Sequence, residues 1–332
     1  MSRVPLDLLS LSDVEAAREL LTGVVETTPV LHSRPLSEVT GVPTWLKCEN
    51  QQRAGSYKVR GAYTRIARLS GDERKRGVVA ASAGNHAQGV ALAAELLGIR
   101  ATVFMPEGAP LPKVTATRGY GAAIEYAGTS VDDALDAAKQ FAAETGAVFI
   151  HPVDHPDIIA GQGTVGLELM RQAQALGVQL DVVVAPIGGG GLMAGTSTAV
   201  KALSPTTAVV GVEPEGFDDT LCSLQAGKRI VTKPTTRSLC DALESPAPGE
   251  LTFPVLQKTI ADIALVSDAE VAEAMRYAFS TLKLVVEPGG SVGLAALLAG
   301  KVKLFGGKVV GLVLSGGNVD PDLFARVIHG DL

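Results

Sequence analysis

Lys47-Cys48-Glu49-Asn50, then Gly55-Ser56-Tyr57-Lys58-Val59-Arg60-Gly61-Ala62, is the stretch on which the reading of this chain turns. A short apolar run ends in charge, a Gly-Ser turn follows, and Arg-Gly-Ala opens a helix predicted from about Gly61 to Leu69. The turn presents one lysine, Lys58, beside the aromatic ring of Tyr57. A lysine held in this way can act as an imine-forming nucleophile when its surroundings favour the neutral amine. The bland alternative is a solvated lysine ahead of Arg60, which is the commoner fate of lysines.

Working outward, the segment before the turn reads as a helix at Leu11 to Leu21, capped by Ser12 or Asp13. Extended runs follow at Thr28 to Leu31 and at Pro35-Leu36. After the turn comes a regular alternation. Strands are predicted at Val78–Ala81, Ala101–Met105, Ala123–Ala127 and Val148–Ile150, separated by helices at His86–Leu97, Pro112–Arg118 and Val131–Ala143. Such an order builds a small parallel sheet covered by helices. His151 to Gly163 returns to a larger body, with a helix at Gly163–Leu176, a buried strand at Val182–Ala185 and a helix at Leu192–Leu203. A strand at Ala208–Val212, an irregular crossing from Gly227 to Pro254 and a strand at Ile263–Val266 come next. Helices at Asp268–Lys283 and Ser291–Leu298 and a last strand at Val309–Leu314 complete the reading. The expected fold class is α/β, with two domains of parallel-type twisted sheets covered by helices. Residues 1–53 and 151–332 make the large domain and 54–150 the small one. The chain ends soon after its last strand, so no appended regulatory domain is expected.

Composition agrees with this class. Of 332 residues, 46 % are hydrophobic but only 4 % aromatic, so packing rests on small aliphatic side chains against a sheet. A net charge of −6 without a Lys/Arg cluster argues against a nucleic-acid partner. Cys48, Cys222 and Cys240 are odd in number and widely spaced, which suits a reducing cytoplasm. The N-terminus lacks the basic start and apolar run of a signal peptide, and no apolar run reaches the roughly 18 residues of a membrane span.

Four further stretches carry chemistry. Ser82-Ala83-Gly84-Asn85-His86 lies between strand and helix, where small residues let backbone N–H groups meet a carboxylate at a helix N-terminus. Pro186-Ile187-Gly188-Gly189-Gly190-Gly191-Leu192 makes a backbone nest for phosphate. Read alone, Gly189 to Ala194 also satisfies the dinucleotide pattern G-x-G-x-x-A, with Glu213 about 20 residues on, so a nicotinamide-dependent oxidoreductase is the rival from another class. That pattern usually opens the first βα unit, however, and a dinucleotide gives Lys58 no role. Leu314-Ser315-Gly316-Gly317-Asn318 ends the last strand, where a serine most often only caps the exit. Glu213-Pro214-Glu215-Gly216-Phe217-Asp218-Asp219 is either a solvated acidic loop or a set of hard oxygen ligands.

In this order, with Ala160-Gly161-Gln162-Gly163-Thr164 and Glu287-Pro288 as supporting matches, the motifs resemble the threonine/serine dehydratase and serine racemase family of fold-type II pyridoxal phosphate (PLP) enzymes. The resemblance covers about residues 14 to 325 and implies a tryptophan synthase β-like fold. It implies that Lys58 is the Schiff-base lysine and the base at the substrate's Cα, with Tyr57 beside it. The loop Gly188–Gly191 with Leu192 would hold the cofactor phosphate, and Asn85 would bond its phenolic oxygen. Glu287 would lie near the ring, and Ser315 would bond the pyridine nitrogen. A neutral hydroxyl there leaves the ring a weaker electron sink, which favours elimination over transamination. Residues Ser82, Ala83, Gly84, Asn85 and His86 would bind the substrate carboxylate. Glu213, the Phe217 carbonyl and Asp219 would bind Mg²⁺ or Ca²⁺.

The activity implied is β-elimination from L-threonine or L-serine, giving a 2-oxo acid and ammonia, by a homodimer or homotetramer. Racemases of the family carry a second serine where this chain has Ala83, and alanine cannot exchange a proton. Two departures bear on the substrate. Cys240-Asp241-Ala242 stands where relatives show Ala-Asp-Gly, and Tyr57 replaces the commoner phenylalanine. Threonine, serine and 3-hydroxyaspartate are all compatible with this reading, as is a serine or hydroxyaspartate racemase.

Overall fold

The computed structural model describes residues 9–233 and 236–332, in which ten strands form two sheets. The strands are β1 (Val30–His32), β2 (Thr44–Cys48), β3 (Val78–Ala81), β4 (Ala101–Met105), β5 (Ala123–Tyr126), β6 (Val148–Phe149), β7 (Val182–Pro186), β8 (Ala208–Pro214), β9 (Asp262–Val266) and β10 (Val310–Leu314). The larger sheet has the order β1-β2-β10-β7-β8-β9 and the smaller one β5-β4-β3-β6. Every pairing is parallel except that of β1 with β2. Strands β3, β7 and β10 are buried along their whole length, as strands without a charged or polar side chain and covered by helices on both faces should be.

The helices are α1 (Leu11–Leu21), α2 (Arg34–Thr40), α3 (Lys58–Ala67), α4 (Gly71–Arg76), α5 (Asn85–Leu96), α6 (Leu111–Gly119), α7 (Val131–Thr145), α8 (Pro156–Ala175), α9 (Gly191–Leu203), α10 (Asp219–Ala226), α11 (Thr252–Thr259), α12 (Asp268–Tyr277), α13 (Pro288–Leu298) and α14 (Pro321–His329). Helices α8 and α9 cross in backbone contact: a Cβ on Gly195 would lie 2.3 Å from the Ile159 carbonyl oxygen and 2.5 Å from the Gly163 nitrogen.

Several boundaries differ from the sequence reading, each for a local reason. Helix α1 is capped by Ser10, not Ser12 or Asp13, and Asp13 instead closes a capping box by accepting the Ser10 N–H at 2.8 Å. Pro35-Leu36 is not extended but lies in the first turn of α2, where a proline lacks nothing the helix needs and Ser33 supplies the cap. Helix α8 starts at Pro156, seven residues before Gly163, for the same reason. Helix α12 ends at Tyr277 and continues as a π-turn to Leu282, closed by Lys283 at φ 60°. Helices α4, α10, α11 and α14 had no counterpart in that reading, and α11 begins inside the stretch read as an irregular crossing.

The fold brings the Lys58 turn to the end of β10. Strands β2 and β10 run parallel with Cys48 opposite Leu314, so both chains leave the sheet at the same level. Beyond them the Tyr57 N–H donates to the Ser315 carbonyl at 3.2 Å and the Gly317 N–H to the Gly55 carbonyl at 2.8 Å. Helix α3 then crosses over to pack on α5 and α8.

Candidate active site

The carboxyl ends of β3, β7 and β10 and the Lys58 turn converge on one cleft of about 560 Å³, counting its open mouth. Strand ends of parallel sheets are where α/β proteins gather ligand groups. Tyr57, Lys58, Asn85, Gly188 to Leu192, Glu287 and Ser315 all line it.

The Lys58 amine donates to the Pro152 carbonyl at 3.0 Å and sits 5.4 Å from the Tyr57 ring centroid. Burial lowers its pKa to about 8, against the opposing pull of Glu287. A sizeable neutral fraction at mildly alkaline pH is what a nucleophilic amine requires. Glu287 moves the other way, to about 8, because of burial and then the charge of Asp241. Its Oε1 accepts the Asn85 amide at 2.6 Å, and the Asn85 oxygen accepts from Asn318 at 2.8 Å.

The glycine run occupies the step from β7 to α9, with Gly190 in the left-handed region at φ 90°. The carbonyl of Gly189 is taken by the Gly249 N–H at 3.0 Å and the Thr252 hydroxyl at 2.8 Å. The N–H groups of Gly188, Gly189 and Gly190 have no acceptor among the described residues. Three orphan donors at the N-terminus of a 13-residue helix suit a phosphate. Ser315 is buried at the end of β10, and its hydroxyl likewise has no partner among the described residues. These observations fit PLP: an amine for its aldehyde, N–H groups for its phosphate and a hydroxyl for its ring.

The other residues singled out from the sequence divide. The N–H of Gly84 donates to Ser82 Oγ at 3.1 Å, and α5 starts at Asn85 without a side-chain cap, so its first amides are open to an anion. Ala83 is part of the same loop. The His86 ring does not line the cleft. Its Nε2–H donates to the Ile150 carbonyl at 2.9 Å, and burial lowers its pKa to about 3, so it is a neutral pin between α5 and the end of β6. Only its backbone amide remains for a substrate.

Glu213, Phe217 and Asp219 come together, all buried, around the start of α10. Glu213 accepts the N–H groups of Thr220 and Leu221, both at 3.0 Å, while both Asp219 oxygens are buried without a partner among the described residues. Burial raises Glu213 to about 7, and burial with the neighbouring Glu213 raises Asp219 to about 8. An uncompensated buried carboxylate beside another fits a cation. Glu213 turned toward the α10 amides is also turned away from the ribose role that the dinucleotide pattern would give it.

Pro152, Val153 and Leu243 escaped the sequence reading. Pro152 and Val153 face Lys58 and the glycine run, Leu243 closes the far wall with Ala242, and Asn318 holds Asn85. Ala242 and Asn318 both lie in stretches singled out from the sequence, and the Ala242 methyl carbon stands 3.4 Å from where a Cβ on Gly289 would lie. Asp241 next to it pairs with Lys113 of α6 at 2.6 Å, linking the two sheet units.

A buried amine facing a phosphate-ready glycine nest across one cleft, in an α/β chain with two parallel-type sheets, defines an enzyme that works through an aldehyde cofactor. The chain belongs to the family of pyridoxal-phosphate dependent enzymes, which matches it over residues 21–316. It is 46 % identical over 327 residues to an L-threonine ammonia-lyase of Thermotoga maritima, covering 98 % of this chain and 79 % of the relative. It is 43 % identical over 325 residues to an L-threo-3-hydroxyaspartate ammonia-lyase of a Pseudomonas species, covering 98 % and 100 %. The solved structure of maize serine racemase superposes with a TM-score of 0.91 at 36 % identity, covering 98 % of both chains, and carries the fold-type II architecture expected from the sequence. The oxidoreductase alternative is thereby set aside.

Proposed function

We propose that the chain is a PLP-dependent ammonia-lyase that converts L-threonine and L-serine to the 2-oxo acid and ammonia. The observation that carries the reading is the half-buried Lys58 amine, which lines the same cleft as three glycine N–H groups without an acceptor among the described residues. When bound, PLP supplies the electron sink that makes the substrate's Cα–H acidic. Lys58 is the point of covalent attachment and, once freed, the base that takes the Cα proton. Gly188 to Gly191 and Leu192 would hold the phosphate, Asn85, Glu287 and Ser315 would supply polar contacts to the ring, and Ser82 to His86 would offer backbone amides to the substrate carboxylate. Residues 54–150 are taken as the small domain.

Among the described residues Lys58 is the only cation lining the cleft, and Lys113 nearby is already engaged by Asp241. A substrate with a β-carboxylate would find no free cation there to pair with it, so neutral β-hydroxy amino acids are preferred to 3-hydroxyaspartate. Ala83 offers no proton to a second face of Cα, which disfavours racemisation. The deciding assay supplies L-threonine, L-serine and L-threo-3-hydroxyaspartate and measures 2-oxo acid, ammonia and D-serine. Oxo acid from threonine is expected. D-serine outpacing pyruvate, or no oxo acid at all, would sink the assignment.

The Lys58 environment predicts a pH dependence of cofactor loading. With the amine's pKa lowered to about 8, covalent uptake of PLP by the cofactor-free protein should accelerate as pH rises through about 8 and then level off, followed by its absorbance.

The reading includes a Mg²⁺ or Ca²⁺ ion on Glu213, the Phe217 carbonyl and Asp219. Without a cation, both carboxylates have folded pKa values raised above their unfolded ones, so the folded state binds more protons and loses stability as pH rises from about 4 to about 8. A bound cation reverses this. Added Mg²⁺ or Ca²⁺ should therefore raise the thermal midpoint more at pH 8 than at pH 6, and Asp219→Asn should abolish the response. Equal shifts at both pH values would count against the site.

Self-association as a homodimer or homotetramer is supported by exposed Leu31, Val39, Phe279 and Val285. The cytoplasm is supported by Cys48, Cys222 and Cys240, which are all free thiols.

A further inference from the structure

We propose that Asn318 is a positioning residue that fixes the Asn85 side-chain amide with its nitrogen turned into the cleft, as the donor toward the cofactor ring. The inference rests on the PLP reading of the cleft and adds to it the element that sets the polarity of one of its contacts.

An asparagine amide can be turned end for end at little cost in shape, so which end faces a ligand has to be decided by a neighbour whose role cannot change. Here that neighbour is a backbone carbonyl. The Ala54 oxygen can only accept, so the Asn318 atom 2.7 Å from it is the nitrogen. The same nitrogen lies 2.8 Å from Asn85, whose facing atom must then be its oxygen. The Asn85 nitrogen is left to point the other way, 2.6 Å from Glu287 Oε1 at the cleft wall. The order runs from Ala54 outward and does not depend on whether Glu287 carries a proton.

The surroundings are built for this relay. Ala54 itself sits in the left-handed region at φ 56°, one of three described non-glycine residues with positive φ. Gly55 leaves the space Asn318 fills, since a Cβ there would lie 2.1 Å from Asn318 Oδ1. The Gly317 N–H to Gly55 carbonyl bond at 2.8 Å and the bridge between Ser56 and Gly316 lock the two segments in register. One side chain thus joins the Lys58 turn, the first residue of α5 and the segment after β10.

The test is a double-mutant cycle on Asn318→Asp and Asn85→Ala, each protein saturated with PLP. A carboxylate at 318 can only accept, so it turns the Asn85 nitrogen toward itself and the oxygen toward the ring. Asn318→Asp should shift the cofactor's visible absorption band and lower kcat about tenfold, with KM for L-threonine changed less than about threefold. Asn85→Ala should do the same, and the double variant should match Asn85→Ala alone. Asn318→Ala, which lets the amide turn freely, should shift the band in the same direction by less. A wild-type spectrum in Asn318→Asp, or spectral effects of the two substitutions that simply add, would overturn the proposal. Thermal unfolding of the same proteins without cofactor should also be non-additive, and additive melting shifts would overturn the relay even if the spectra behaved. That arm needs no PLP, so a wild-type chain that developed no visible band would count against the proposed function and leave the amide order to be judged by the melts.

Discussion

Lys58→Ala is expected to lower kcat/KM for L-threonine by at least about 10³, because it removes both the covalent attachment point and the Cα base. Lys58→Arg should be almost as damaging, since a guanidinium keeps its charge and cannot serve as a neutral amine. Mass spectrometry of the borohydride-reduced wild-type protein should place the cofactor mass on the peptide containing Lys58. The contrast with Lys47 makes the expectation sharp. Both lysines are deeply placed and burial lowers the pKa of each. The Lys47 amine, however, donates to the Thr28 carbonyl, Glu168 and Gln172 at 2.9, 2.7 and 2.8 Å, so its three protons are all committed and none faces the cleft. The Lys58 amine makes one hydrogen bond among the described residues, at 3.0 Å to the Pro152 carbonyl, and lines the cleft with the glycine nest. Modification on Lys47 or Lys113, or a Lys58→Ala protein within tenfold of wild type, would remove the basis of the reading.

The largest effect on stability is expected at Arg60. Its guanidinium is fully buried and grips Glu49 at 2.8 Å through Nε and 2.8 Å through Nη2. It also reaches both oxygens of Glu168 at 2.8 and 2.9 Å and Thr164 at 3.1 Å. With Lys47 the cluster holds two cations and two carboxylates, so it is neutral as a whole. Removing one member leaves a buried charge without its partner, which costs about 3–5 kcal/mol, whereas an apolar replacement of a whole buried pair is often close to neutral. Arg60→Met should therefore lower the unfolding free energy by about that amount, and combining it with Glu49→Gln should restore part of the loss. Denaturant unfolding of the PLP-saturated proteins measures both, and a loss below about 1 kcal/mol for Arg60→Met would show the network to be unimportant. The sign with pH is also fixed. Burial alone would raise the pKa of Glu168, but Arg60 and then Lys47 outweigh it and hold the group below the ordinary range. Its contribution is therefore complete above the unfolded carboxylate pKa and fades as pH falls through the lower folded value.

These two residues also show how far the linear chain could be read. Lys58 was legible because its neighbours form a motif of adjacent letters, and the glycine run and the strand-ending serine were legible for the same reason. The central strand of the small sheet was legible because a strand buried on both faces needs an unbroken apolar run, as in Val78–Ala81. Arg60 gave no such signal. Two positions after Lys58 it reads as a solvated charge, and only the packing of α3 on α8 supplies Glu168, 108 residues away, to neutralise it.

Near-neighbour effects, turn chemistry and hydrophobic period, thus made legible the family of folds and most of the groups that line the cleft. The tertiary structure alone decided the direction of the Asn85 amide, the inward burial of the His86 ring, the pairing of Lys113 with Asp241 and the unpartnered state of Asp219. Each depends on a partner or a burial that arises only when distant segments meet, and hydrogen-bond direction and desolvation have no counterpart in the order of residues along the chain.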